Sequence, residues 1–235
     1  MTSAIILAGG LGTRLRAAVS DLPKPMAPVA GRPFLEYQLD YWIRQGINRF
    51  VLSVGYRHEA IVDHFGNSYH GAELVYVVEP TPLGTGGGLL LAADKAGRDA
   101  PFLLLNGDTY FAVELKALSA FSHANDADWC FALFRAREEG RYMGMDVTPQ
   151  GRITSLRSGT GRPGRLANGG VYWVHPRALR GGGRFAPGDQ ASLEDDIFPL
   201  AMESGQRMFG LEFPGIFIDI GVPDDYRRAP ALLVV

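Results

Sequence analysis

Short apolar runs alternate with helix-periodic segments through the first half of the 235-residue chain. Residues 4–8 (AIILA), 50–54, 74–78 and 102–105 carry the runs. Each is too short for a helix and shows no polar alternation, the pattern of a strand buried on both faces. Between them, residues 34–45 place Phe34, Leu35, Leu39, Trp42 and Ile43 at helical intervals, behind Pro33 and ahead of Gly46. Residues 59–65 and 85–96 read as further helices. Strand–helix alternation specifies a parallel sheet covered on both sides, because right-handed crossovers return each strand parallel to the last.

The second half is more mixed. Residues 115–124 and 193–202 read as helices, the latter with Ser192 as its cap, and Pro223 opens a last helix. Residues 129–134, 170–174, 209–213 and 216–220 read as strands, and residues 146–156 as a hairpin turning at Pro149-Gln150-Gly151. No linker-like stretch or internal repeat interrupts the chain. The expected architecture is one α/β domain with a doubly wound, mostly parallel, Rossmann-like sheet. Residues 1–110 would hold one ligand and residues 111–235 the other.

Composition narrows the function classes. Apolar residues make up 46% of the chain, enough for a real core. A net charge of -2 gives no basic field to draw in nucleic acid or acidic lipid. No run approaches the ~20 apolar residues of a bilayer span, and the first residues lack a signal-peptide pattern. The expectation is a cytoplasmic protein with neither nucleic-acid nor membrane partners; a homo-oligomer stays open. Cys130 stands alone, which excludes an internal disulfide or a cysteine-based zinc cluster. Only Lys24, Lys95 and Lys116 are lysines; every other cation of the 23 is arginine.

The first strand runs into Gly9-Gly10-Leu11-Gly12-Thr13-Arg14-Leu15. Glycines there let backbone N–H groups approach an anion closely, and Arg14 adds a planar fork suited to phosphate oxygens. Such a loop is equally a plain tight turn. The dinucleotide pattern fails, since Leu15 stands where its third glycine would be, and no glycine precedes a lysine as the Walker pattern needs. Further on, Pro23 and Pro25 bracket Lys24, which predicts a stiff, extended segment aiming one ammonium.

The combination says more than its parts. GGLGTRL followed by PKPM resembles the signature of the sugar-1-phosphate nucleotidyltransferases. Further pieces of that pattern follow in order: residues 79–87 (EPTPLGTGG), 106–108 (NGD), 168–172 (NGGVY), 192–194 (SLE) and 219–223 (DIGVP). The wording is most similar to the branch that acts on D-glycero-α-D-manno-heptose 1-phosphate. The resemblance implies transfer of a nucleotidyl group from a nucleoside triphosphate to a sugar 1-phosphate, with release of pyrophosphate. It implies that Gly9, Gly10, Gly12, Thr13 and Arg14 hold the triphosphate, and that Lys24 stabilises charge between the sugar phosphate and the α-phosphate. It implies that Asp108 and Asp219, each ending an apolar run, share a Mg²⁺ ion. Glu79 falls where the family reads the base, beside Gly84 and Thr85, whose helix start offers N–H groups to a base or ribose oxygen. Asn168, Gly169 and Glu194 fall on the sugar side; Asp195 and Asp196 read simply as a helix's acidic first turn.

The base can be argued from chemistry. An ionised carboxylate only accepts hydrogen bonds. Guanine offers two adjacent donors, N1–H and its amino group, whereas uracil, thymine, cytosine and adenine would turn a lone pair toward one carboxylate oxygen. That mismatch costs about 1–3 kcal/mol. Glu79 thus favours GTP, and the expected pair is GTP with the heptose 1-phosphate. UTP or dTTP with a hexose 1-phosphate is the alternative, and a catalytically silent nucleotide-sugar-binding subunit is a rival of another class. Two departures touch the sugar side. The family's Arg-Tyr-Gly reads Arg141-Tyr142-Met143-Gly144, and no lysine stands where the family binds the sugar phosphate. Arg157, Arg162 and Arg165 are the candidate substitutes.

Overall fold

A computed structural model describes residues 2–10, 12, 22–97, 99–157, 162–180 and 184–234. Its core is a sheet of ten strands. The strands Ala72–Val78, Arg49–Val54, Ser3–Ala8 and Phe102–Asn106 lie side by side and parallel. Leu166–Val174 then runs antiparallel beside Phe102–Asn106 and pairs on with Trp129–Arg135, to which Met208–Glu212 adds in parallel. Six of these seven long strands therefore point one way, as the alternation predicts. Short strands finish the edges, including the expected hairpin of Gly144–Val147 with Ile153–Arg157.

Burial on both faces explains the unalternated sequence. Successive residues of a strand face opposite sides. Ile6, Leu52 and Leu103 pack on one side with Leu35, Leu39 and Trp42 of the helix Phe34–Arg44. Ile5, Val51 and Leu104 pack on the other with Leu89 and Ala92 of the helix Gly84–Ala96. Neither side can be polar, so each strand reads as a continuous apolar run. Among the described residues no helix is long and apolar enough to cross a membrane.

The register levels the carboxyl ends of the parallel strands, pairing Ala8 with Val54, Val54 with Val78 and Leu7 with Asn106. Gly9, Gly55, Glu79 and Gly107 each follow immediately, so they form one rim, where ligands of open α/β sheets bind. A second device reaches this rim from the far half of the chain. Thr109–Phe111 pairs antiparallel with Phe217–Asp219, setting Asp219 opposite Thr109, and Ile220 N–H donates to the Asp108 carbonyl at 2.9 Å.

Two local expectations change. Lys24 lies not in an extended segment but at the start of a tight helical turn, Lys24–Met26. Proline is tolerated in a first turn, where its missing N–H would lack a partner anyway. The helix expected over residues 193–202 begins as a wide π-type turn, Leu193–Ile197, before the α-helix Phe198–Glu203. Ser192 does cap it, its hydroxyl accepting from Asp195 N–H at 3.1 Å, while Asp196 Oδ2 accepts from Ser192 N–H at 2.8 Å.

Candidate active site

Lys24, Asp108 and Asp219 surround one point. Lys24 Nζ donates to Asp108 Oδ2 at 2.9 Å. A Cβ at position 221 would lie 2.7 Å from Asp219 Oδ1, 3.3 Å from Asp108 Oδ2 and 3.3 Å from Lys24 Nζ. Residue 221 is glycine, and its N–H donates to Asp219 Oδ1 at 2.7 Å. Burial and the neighbouring Asp108 carboxylate push the Asp219 carboxyl up to about 6, against the Gly221 N–H, Arg141 and Lys24. Carboxylates pressed together out of water repel one another unless a cation joins them.

Those carboxylates fit a hard divalent cation. Among the described residues no group of three or more His, Cys, Asp or Glu is arranged to hold a metal alone. Mg²⁺ does not need such a cage, since it takes one or two carboxylates and completes its shell with phosphate oxygens and water.

Two cavity lobes meet at this point. The larger, about 620 Å³, takes in Gly9, Gly10, Gly12, Lys24, Glu79, Gly84, Thr85 and Asp108. The smaller, about 260 Å³, takes in Arg141, Asn168 and Gly169. Asn106, Thr109, Glu194 and Asp219 line both. Of the expected site residues, Thr13 and Arg14 lie outside the described residues. All the others line one lobe or both.

The glycine loop has a further logic beside anion approach. A Cβ at position 9 would stand 2.0 Å from Glu79 Oε1. A Cβ at position 12, where φ is +63°, would stand 2.9 Å from Lys24 Cγ. These glycines make room for two other site side chains; among the described residues nothing lies within 4 Å of a Cβ at Gly10. Glu79 crosses over Gly9 to accept from the Ser53 hydroxyl at 2.9 Å and Leu83 N–H at 3.2 Å. Burial raises its pKa, and these two donors oppose the rise. Each carboxylate oxygen keeps a further acceptor site for a base.

The helix start at Gly84 packs closely on a distant segment. Gly86 and Gly87 N–H both donate to the Ala191 carbonyl, at 2.8 and 3.1 Å. They are spent on the protein rather than offered to a ligand. A Cβ at Gly84 or Gly87 would come within 2.5 Å of the Ala191 or Asp189 carbonyl. The glycine run therefore exists to let residues 189–192 approach. That contact brings Glu194 to the cavity: Thr85 Oγ1 donates to Glu194 Oε2 at 3.0 Å and accepts from Leu193 N–H at 2.8 Å. Glu194 is mostly desolvated, which raises its pKa.

Asn168 is held on both sides. Its amide donates to Tyr172 Oη at 2.8 Å, and its oxygen accepts from Gly170 N–H at 3.1 Å. Gly169 packs where a Cβ would meet the Phe111 ring at 2.5 Å. Arg157, Arg162 and Arg165 line a separate cavity of about 340 Å³ with Gly144, Met145, Asp146 and Leu166. Sequence reasoning noted Arg141 only within a displaced motif. It stands beside Asp219, Nη2 to Oδ2 3.6 Å, and is braced by Asp225 at 2.6 Å and Glu138 at 3.1 Å.

Known proteins resemble this chain over nearly its whole length. The nucleotidyl transferase family profile matches residues 3–233. The chain is 41% identical over 228 residues to the D-glycero-alpha-D-manno-heptose 1-phosphate guanylyltransferase of Aneurinibacillus thermoaerophilus, with 96% of each chain covered. It is 35% identical over 223 residues to the protein of that name from Campylobacter jejuni, covering 95% of this chain and 96% of that one. Among solved structures, HddC from Yersinia pseudotuberculosis complexed with GMP-PN gives a TM-score of 0.84 at 31% identity, with 98% and 99% of the two chains covered. With family profile, sequence and fold in agreement over nearly its whole length, the chain belongs to the nucleotidyl transferase family.

Proposed function

We propose that this protein transfers a guanylyl group from GTP to a heptose 1-phosphate, D-glycero-α-D-manno-heptose 1-phosphate by its relatives' names, and releases pyrophosphate. The observation that carries this reading is the convergence of Lys24, Asp108 and Asp219 where the two lobes join. A larger lobe for the triphosphate and a smaller one for the sugar would bring the reacting atoms together there. Residues 1–110 would supply most of the nucleotide lobe, while residues 111–235 add most of the sugar lobe.

The chemistry is positioning and charge stabilisation. An oxygen of the sugar phosphate attacks the α-phosphorus; the new O–P bond forms as the bond to the β-phosphate oxygen breaks, and the electron pair leaves with pyrophosphate. Lys24 supplies a point charge to the α-phosphate oxygens. Asp108 and Asp219 would hold Mg²⁺, which when bound neutralises phosphate charge. Gly9, Gly10, Gly12, Thr13 and Arg14 would cradle the triphosphate. Glu79 would accept from the two donors of guanine, with Gly84 and Thr85 beside it. Glu194 and Asn168 would meet sugar hydroxyls over Gly169. A reaction drawing on GTP belongs in the cytoplasm.

The test is a pyrophosphate-release assay with Mg²⁺ over a panel of nucleoside triphosphates and sugar 1-phosphates. Fastest turnover is expected with GTP and the heptose 1-phosphate. Faster turnover of UTP or dTTP would overturn the base assignment, and silence across the panel would leave a binding subunit instead of an enzyme.

A further inference from the structure

We infer that Arg141 is the group that receives the sugar phosphate, which deepens the reading above and rests on it. A sugar 1-phosphate is an anion, and its attacking oxygen must lie next to Asp219 and Lys24. Its lobe must therefore offer a cation of its own. Among the described residues lining the smaller lobe, Arg141 is the only lysine or arginine. It also touches the reaction point, with Nη2 3.3 Å from the Asp219 carbonyl and 3.6 Å from its carboxylate.

The side chain is already organised for the task. Its exposure is only 15%, with Asp225 and Glu138 bracing the two ends of the guanidinium fork and the Tyr142 ring 4.9 Å away. An arginine so fixed loses little freedom when an anion arrives. Its Nε is buried and has no hydrogen-bond partner. A desolvated donor without an acceptor is costly, so this guanidinium still has hydrogen-bonding capacity unspent. The rival cations are in the wrong place. Arg157, Arg162 and Arg165 line a cavity that shares no residue with this lobe, and Arg165 is tied to Asp146 at 2.6 Å.

Steady-state kinetics on the full chain decide the matter. With GTP saturating, Arg141→Met is expected to raise KM for the sugar 1-phosphate by about tenfold or more, with KM for GTP unchanged within about twofold. Arg141→Lys should recover part of that loss, because it restores the charge without the fork. Arg157→Ala, Arg162→Ala and Arg165→Ala should match the parent. Arg141 also braces Asp225, so Asp225→Asn serves as the structural control: it lowers Tm while moving KM for the sugar phosphate less than Arg141→Met does. If Arg141→Met folds poorly, Arg141→Lys alone must show the selective rise in KM. The assignment is overturned by an unchanged KM for the sugar phosphate, by equal rises for both substrates, or by the effect appearing in Arg162→Ala or Arg165→Ala. A parent protein silent with every substrate pair would instead sink the functional reading itself.

Discussion

Lys24 Nζ and Asp108 Oδ2 stand 2.9 Å apart across 84 residues of chain, one on a proline-bracketed turn and the other just past a strand end. Neither group has another described salt-bridge partner, so a phosphate arriving between them finds an ammonium and a carboxylate already facing it. Lys24→Ala and Asp108→Asn are each expected to lower kcat by about a hundredfold or more without loss of fold. Circular dichroism checks the fold; turnover within a few-fold of the parent in either variant refutes its role.

Gly9 tests the placement of Glu79. A methyl group at position 9 must displace the carboxylate, since it would stand 2.0 Å from Glu79 Oε1. Gly9→Ala is expected to raise KM for GTP by about tenfold. Glu79→Gln keeps the length of the side chain but turns one acceptor into a donor. It should narrow the GTP preference over UTP by about tenfold. Competition between the two nucleotides measures both effects, and an unaltered GTP preference in Glu79→Gln would remove the base-reading role.

Glu194 carries a stability cost with a definite pH sign. Burial raises its folded-state pKa above the ordinary glutamate range, and Asp195 adds to the rise against donors from Thr85 and Ser192. The protonated form is therefore favoured on folding. That contribution is present below the unfolded pKa and is lost as pH rises through the higher folded value. Glu194→Gln cannot ionise, so it should melt higher than the parent near about pH 8, with the gap closing near about pH 4. Thermal melts at the two pH values check the sign. The same variant should bind sugar phosphate more weakly, because the acceptor pair for sugar hydroxyls is lost.

Gln38 holds the turn that carries Asp108. It is buried on the helix Phe34–Arg44, and its amide donates to the Asn106 carbonyl at 2.9 Å and to the Thr109 carbonyl. Gln38→Leu fills similar space but leaves both carbonyls without that donor. A lower Tm is expected, with kcat reduced by about tenfold. Turnover equal to the parent would show that the turn is held well enough by Gly107 N–H, which donates to the Leu7 carbonyl at 2.9 Å.

The central strands were legible in the chain because burial on both faces leaves one pattern, a short apolar run, and nothing competes with it. The residues gathered along the cavity were legible because their motifs are contiguous and several follow strand ends. Other features had no local signal. Thr109–Phe111 and Phe217–Asp219 are three residues each, too short to show a period, yet their pairing delivers Asp219 to Asp108. Nothing around Gly86 and Gly87 in the sequence signals that the Ala191 carbonyl, more than a hundred residues on, occupies their N–H groups.

Arg141 marks the boundary most clearly. In a chain that writes nearly every cation as arginine, charge could not single it out from Arg157, Arg162 or Arg165. Residue order set the alternation of strands and helices, the acidic and basic groups at the rim, and the family they belong to. Which arginine faces the sugar lobe, and which glycine yields to a side chain or a carbonyl, depended on contacts between segments far apart in the chain. Packing fixes such contacts through the whole sheet at once, and no window of neighbouring residues encodes them.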